Sequence, residues 1–279
     1  MDDGRTVAII SDFGADSFYA GVMRSVVMHA APKSRVVDVT HGIPAHGIAE
    51  GSFVLDTVFD YFPTGTVFLV VVDPGVGGSR RNLAVEMGER FFVGPDNGLL
   101  TEVAERTGRC RAYQIDPAAL ERFCARRPLG STFLGRDVFA PAAAAIATGA
   151  DPAAVGRPVE GGLETLGIPR VTVEPGRVSG CGRYVDVFGN MLTRISRGDL
   201  DRAFGTSASD RIRRIRATVD GHELGPLCEC YGARPTGTMI AVLNSWGLVE
   251  ISVTGGRAVD RFGGRRLDEV ILELRAEGA

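Results

Sequence analysis

The sequence predicts an α/β protein in two parts: an N-terminal three-layer α/β domain with a mostly parallel sheet, and a C-terminal antiparallel β-barrel domain. Three observations predict it. Apolar strand-like runs alternate with helical periodicity through the first half. That alternation stops after Gly156, and Gly161 to Pro169 reads as a linker bearing glycine and proline. Beyond it come short strands separated by glycine-bearing turns, the pattern of a small barrel or sandwich. The expected boundaries are residues 1–165 and 170–279.

In order along the chain, Val7 to Ile10 is a strand closed by Ser11-Asp12-Phe13-Gly14. Phe18 to Ala30 has helical periodicity and stops before Pro32, where the helix cannot continue. Arg35 to Val39 is the second strand, followed by Thr40-His41-Gly42, and Ala49 to Phe62 is a helix ending at Pro63. Val67 to Val72 is the third strand, apolar throughout as a strand buried on both faces must be. Ala84 to Glu86 and Phe91 to Val93 form a hairpin leading into Gly94-Pro95-Asp96-Asn97-Gly98. Leu99 to Arg106 and Asp137 to Thr148 are helices. In the second part, strands are expected at Val171 to Val173, Val178 to Val187, Arg211 to Val219, Thr238 to Leu243, Leu248 to Val253 and Val270 to Leu274, with one helix at Leu200 to Phe204.

Composition narrows the function classes. The 279 residues carry a net charge of −3, so no basic surface calls for nucleic acid. Lys33 is the sole lysine beside many arginines, which suggests a high-GC bacterial genome. No apolar run approaches a membrane span, and Met1-Asp2-Asp3-Gly4 lacks a signal-peptide start, so a cytoplasmic location is expected. Cys110, Cys124, Cys181, Cys228 and Cys230 are odd in number and lack CxxC spacing, as reduced thiols do. The four histidines, His29, His41, His46 and His222, form no HxH or HxxxH pair, so no metal site is expected.

The chemistry concentrates at the carboxyl ends of the first strands, where open α/β sheets bind ligands. Val72-Asp73-Pro74-Gly75-Val76-Gly77-Gly78-Ser79-Arg80 ends a strand in an acid and can turn Arg80 back toward it. Either the pair orients a water or a cationic substrate, or Asp-Pro-Gly is a plain turn. Asp12 either accepts bonds from a ribose diol or caps the following helix. Ser131 to Asp137 opens a helix, with Arg136 and Asp137 read as a cap and a surface ion pair. Asp186-Val187-Phe188-Gly189-Asn190 is a hairpin turn or a base reader, and Trp246 in Asn244-Ser245-Trp246-Gly247 stacks on a base or covers the end of the barrel.

Taken together and in order, Ser-Asp-Phe-Gly, Val-Asp-Val-Thr-His-Gly, Asp-Pro-Gly-Val-Gly, Pro-Asp-Asn-Gly-Leu, Gly-Arg-Asp-Val-Phe-Ala-Pro, Phe-Gly-Asn and Asn-Ser-x-Gly are specific. The chain resembles the S-adenosylmethionine (SAM) hydroxide adenosyltransferases, the adenosine-forming SAM hydrolases related to the SAM-dependent fluorinase and chlorinase, from about Val7 to Leu274. The resemblance implies SAM as substrate, no cofactor, and a homotrimer with sites between the N-domain of one subunit and the C-domain of the next. It implies that Asp73 and Arg80 act at the water, and that Asp12 holds the ribose hydroxyls. Phe133, Phe188 and Asn190 would contact substrate, Asp186 less securely the methionine side, and Ser245 the methionine carboxylate. Trp246 stands where the fluorinase has arginine.

One departure stands out. The hydrolases usually read Phe-His-Gly-Arg-Asp, whereas this chain reads Phe133-Leu134-Gly135-Arg136-Asp137, and leucine neither bonds a water nor moves a proton. The reading implied is hydrolysis of SAM to adenosine and L-methionine by in-line attack of water on C5′. The alternatives are a chlorinase-like halogenase and a SAM- or adenosine-binding protein with little turnover.

Overall fold

The computed structural model describes residues 4–123, 130–205 and 214–274. The chain divides into two units between Gly167 and Ile168.

The first unit is built on a seven-stranded sheet. Its strands are β1 (Val7–Ser11), β2 (Val36–Thr40), β3 (Val67–Val71), β4 (Asn82–Met87), β5 (Arg90–Pro95), β6 (Cys110–Ile115) and β7 (Gly156–Pro158), in the order β2-β1-β3-β5-β4-β6-β7. The β2-β1-β3-β5 half is parallel throughout, while β4, β6 and β7 pair antiparallel. β1 shows why the sheet needs cover on both sides: Val7 and Ile9 enter one core, Ala8 and Ile10 the other. Helices α1 (Phe18–Ala30) and α4 (Ala140–Ala147) fill the first face. Helices α2 (Ile48–Val58) and α3 (Thr101–Thr107) fill the second, which completes the three layers.

Several details were not legible beforehand. The expected helix from Asp137 becomes two segments, because Gly135–Phe139 winds as a π-turn before α4. The polar edge strands β6 and β7 carry too weak an apolar pattern to announce themselves.

The second unit is antiparallel. β8 (Thr172–Glu174), β9 (Arg177–Gly180), β12 (Ile215–Val219), β13 (His222–Pro226) and β16 (Val270–Leu274) form one sheet, in the order β13-β12-β16-β9-β8. The other sheet, β10-β11-β15-β14, holds β10 (Gly182–Val185), β11 (Met191–Ser196), β14 (Met239–Leu243) and β15 (Leu248–Val253). One apolar core, including Val178, Ile195, Ala217, Ile251 and Leu272, draws on both sheets. Outside the named strands, a bridge between Cys228 and Val242 adds to the β14 edge. The run expected as one strand from Val178 to Val187 breaks at Cys181 and changes sheets there. Gly180 and Gly182 flank the corner, where a side chain would meet Ile195 at 3.0 Å or the Leu267 backbone at 3.0 Å. Helix α5 (Arg197–Phe204) starts with a capping box between Ser196 and Asp199. Of the strand expected at Arg211 to Val219, residues 211–213 lie outside the described residues.

Candidate active site

A cavity of about 370 Å³ opens at the carboxyl ends of β1, β2 and β3. Each flanking loop places side chains there. The turn after β1 brings Asp12 and Phe13, the β2 loop brings Ala45 and His46, and the turn after β3 brings Asp73 and Val76. The segment before the π-turn brings Phe133 and Leu134.

Asp73 and Arg80 meet, the first of the two readings that the sequence left open. Val76 N–H donates to the Asp73 carbonyl at 3.2 Å and Gly78 N–H to the Gly75 carbonyl at 3.0 Å, so two tight turns reverse the chain. Asp-Pro-Gly is therefore both a turn and the device that returns the arginine. Arg80 Nε donates to Asp73 Oδ1 at 2.6 Å while Nη2 donates to Oδ2, a forked pair. Arg80 Nη1 also donates to Asn82 Oδ1 and to the Arg81 carbonyl, and the guanidinium lies 5.5 Å from the Phe139 ring centre. The Asp73 side chain is only 6 % exposed, so water competes weakly with the fork.

Asp12 does not cap α1. Ser17 does, accepting from Tyr19 N–H at 3.3 Å. Asp12 instead accepts the His46 amide at 2.9 Å through Oδ2, and Oδ1 has no protein hydrogen bond among the described residues. It is thus held in place with one oxygen available for a ligand. Phe133 packs edge-on against Phe13 and Tyr19, at 5.8 and 4.9 Å between ring centres. Leu134 rests on the first-face core and presents an apolar wall. Arg136 and Asp137 pair with Nε at 2.6 Å from Oδ1, but Asp137 is buried and also accepts the Gly130 amide at 2.8 Å. The pair closes the 130–137 loop rather than decorating a surface.

The second unit carries the other expected residues on two turns. Asp186 Oδ1 accepts the amides of Phe188 and Asn190 at 2.9 and 2.8 Å, and Oδ2 accepts Asn190 Nδ2 at 3.0 Å. Its carboxylate therefore braces the turn, and Phe188 stands 71 % exposed. Ser245 and Trp246 are exposed on the β14–β15 turn, which Asn244 closes by accepting the Trp246 and Leu248 amides. The structure does not bring these turns together. One precedes Met191 and the other lies beside Ser196, at opposite ends of β11. Between them Glu250, buried in β15, accepts from Tyr231 Oη at 2.9 Å, Ser252 Oγ at 2.6 Å and Asn244 Nδ2 at 2.9 Å. Burial, and then the bond to Glu250, pushes the Tyr231 phenol up to about 12.

Family models match almost end to end. The N-terminal domain of SAM hydroxide adenosyltransferases matches residues 7–156, and the C-terminal domain of the same family matches residues 180–271. The chain belongs to the SAM hydroxide adenosyltransferase family. Within it, the (R)-S-adenosyl-L-methionine hydrolase of Thermus thermophilus is 35 % identical over 270 residues, 93 % of this chain and 96 % of that protein. A crystal structure of a conserved protein from Thermotoga maritima superimposes with a TM-score of 0.84 at 32 % identity, covering 95 % of this chain and 99 % of the other. A fluorinase of Actinopolyspora mzabensis is 28 % identical, covering 88 % of this chain and 89 % of that protein.

Sequence reasoning missed Ser17, Tyr19, Ala45 and His46 in the cavity, and Tyr231 and Glu250 in the second unit. Phe13 and Val76 had a signal, inside the Ser-Asp-Phe-Gly and Asp-Pro-Gly-Val-Gly motifs. Among the described residues, no group of three His, Cys, Asp or Glu side chains could hold a metal ion, and no helix is long and apolar enough to cross a membrane.

Proposed function

We propose that the protein hydrolyses SAM to adenosine and L-methionine by in-line attack of water on C5′. The observation that carries this reading is the Asp73–Arg80 fork at the wall of a cavity that also holds Asp12. Family membership and the hydrolase relatives support it. SAM is a sulfonium, so methionine leaves as a neutral thioether and needs no general acid. The chain's task is to bind SAM with C5′ open, align one water and exclude the rest. Positioning of that kind supplies on the order of 7 kcal/mol in favourable cases. Each Asp73 oxygen keeps an acceptor lone pair beyond its bond to Arg80, so it can take a hydrogen bond from the water. As the C–O bond forms and the C–S bond breaks, the water proton passes to Asp73 and then to solvent. Arg80 holds the carboxylate in register throughout.

Asp12 Oδ1 is the acceptor for the ribose diol, and Phe133 packs beside it. Asp186, Phe188, Asn190, Ser245 and Trp246 complete substrate recognition in an assembled homotrimer, with Asp186 acting through the turn it braces. Exposed apolar side chains on the second unit, Val187 at 81 % and Phe188 at 71 %, support an assembly that covers them. The reaction as written uses no metal or second cofactor. The free thiols of Cys110, Cys181, Cys228 and Cys230 fit the reducing cytoplasm.

Leu134 favours one competing reading, because an apolar wall suits a desolvated chloride, while the Asp73 charge opposes it. One incubation with SAM in chloride buffer, resolved by chromatography, separates them. Adenosine with ¹⁸O from labelled water in its 5′-hydroxyl is the expected product. 5′-Chloro-5′-deoxyadenosine would establish the halogenase, and bound but unconsumed SAM the binding protein.

A further inference from the structure

The cavity's two principal loops are stitched together through a buried histidine that touches no part of the cavity. His41 follows β2 and is 8 % exposed. Its Nδ1 lies 2.7 Å from Ser11 Oγ, at the end of β1. Ser11 Oγ also accepts the Phe13 amide at 3.3 Å, so its own proton is free to go to Nδ1. That puts the single N–H of the neutral imidazole on Nε2, 3.3 Å from Asp38 Oδ1 but out of line for a hydrogen bond. The His41 carbonyl accepts the Gly14 amide at 2.8 Å, and the Ile43 amide reaches the Ser11 carbonyl at 3.4 Å. Farther along the same loop, the His46 amide reaches Asp12. Ser11, His41 and Asp38 stand in the order of a hydrolytic triad, but Ser11 is fully buried and no substrate can reach its oxygen.

We propose that His41 is a positioning residue whose neutral form locks the 41–47 loop to the β1 turn, holding Asp12 and His46 in the shape that binds substrate, and whose protonation releases that lock. A protonated Nδ1 can no longer accept from Ser11. Ser11 would then accept from both His41 and Phe13 while its own proton lost its partner. The charged groups facing His41 are Arg24 from α1, paired with Asp38, and Asp38 itself in the middle of β2. Burial first, and then Arg24, holds the imidazole below its ordinary value, so the neutral form prevails near neutrality. The substrate part of this inference rests on the SAM reading; the locking part does not.

The experiment compares the wild type with His41→Asn and Ser11→Ala, from about pH 7.5 to about pH 5, a range that runs from above the ordinary imidazole value to well below it, as the lowered His41 requires. Asparagine places an acceptor near the Nδ1 position and takes no proton. Exchange protection of the Gly14 and His46 amides, corrected for intrinsic rates, reads the lock directly. Expected for the wild type at the acid end is a loss of protection of about tenfold, the size of one hydrogen bond. His41→Asn should keep protection flat with pH, and Ser11→Ala should be unprotected at both ends. In parallel, KM for SAM should rise by about the same factor in acid while kcat moves far less. Protection that ignores both pH and Ser11→Ala overturns the proposal, as does an acid limb in KM that persists in His41→Asn. Protection that behaves as expected while SAM is neither bound nor consumed upholds the lock and overturns the hydrolase reading instead.

Discussion

At the residue scale the site turns on single charges and single protons. Asp73→Asn keeps the shape of the fork's acceptor but removes its charge, so it should lower kcat by about 10²- to 10⁴-fold, the usual worth of general-base help, with a smaller change in KM. Single-turnover kinetics would check the split, and an unchanged kcat would remove Asp73 from the chemistry. Leu134→His places a polar ring in the wall shared with Asp73, and hydrolysis should speed up. If the wild type is already fast and the variant no faster, the wall needs no polar group. Tyr231 supplies a test in the second unit. Its phenol titrates at about 12 because burial, and then Glu250, favour the neutral form. The fold therefore gains from Tyr231 below the unfolded value near 10 and loses that gain as pH climbs to about 12. Absorbance at alkaline pH should show Glu250→Gln bringing the phenol's titration down, though not fully, since burial remains.

At the element scale the π-turn at Gly135–Phe139 sets the cavity wall. A widened turn holds one more residue than an α-turn and so shifts the register of the following helix, a feature often found at functional sites. Gly135 sits where a Cβ would fall 2.8 Å from Met23 Sδ and 3.0 Å from the Phe133 ring. Met23 can yield, being flexible, but Phe133 is pinned by Phe13 and Tyr19. Gly135→Ala should thus strain the Phe133 side of the cavity, lowering stability by about 1–3 kcal/mol, the usual cost of overpacking, and weakening SAM binding. Calorimetry with SAM, beside a melting curve, checks it. Full affinity with a lowered Tm would mean that Met23 absorbed the methyl group. The Asn97 turn shows the same economy: Nδ2 donates to the Val72 carbonyl at 2.9 Å, tying this turn to the residue before Asp73.

At the scale of the whole molecule, the question is assembly. The chain weighs 29.6 kDa, so the proposed homotrimer should scatter light as three times that mass at micromolar concentration. A monomer with full SAM affinity would contradict a shared site. Phe188 at 71 % and Trp246 at 47 % exposure are the side chains that assembly and substrate should cover.

The sequence by itself left the Asp73–Arg80 pair as one of two readings, the one that the resemblance favoured, and determined the alternation of strands and helices in the first unit and the change to antiparallel strands in the second. Those features are local: an apolar period, a proline or glycine stop, or a short turn that can reverse the chain. The ordered motifs likewise named the family before any coordinate did. Only the tertiary structure decided which groups share the cavity. His46 enters it because its amide reaches Asp12 across 34 positions, and Tyr19 because α1 begins at its rim. Asp186 reads equally well as a free carboxylate or a turn brace until its three bonds are seen. The break at Cys181 hides inside an unbroken strand-like run, since the corner depends on what Gly180 and Gly182 pack against. Likewise the separation of the Asp186 and Ser245 turns along β11 follows from strand register. Register, edge pairing and cavity shape arise from contacts between residues far apart in sequence, and local pattern carries no record of them.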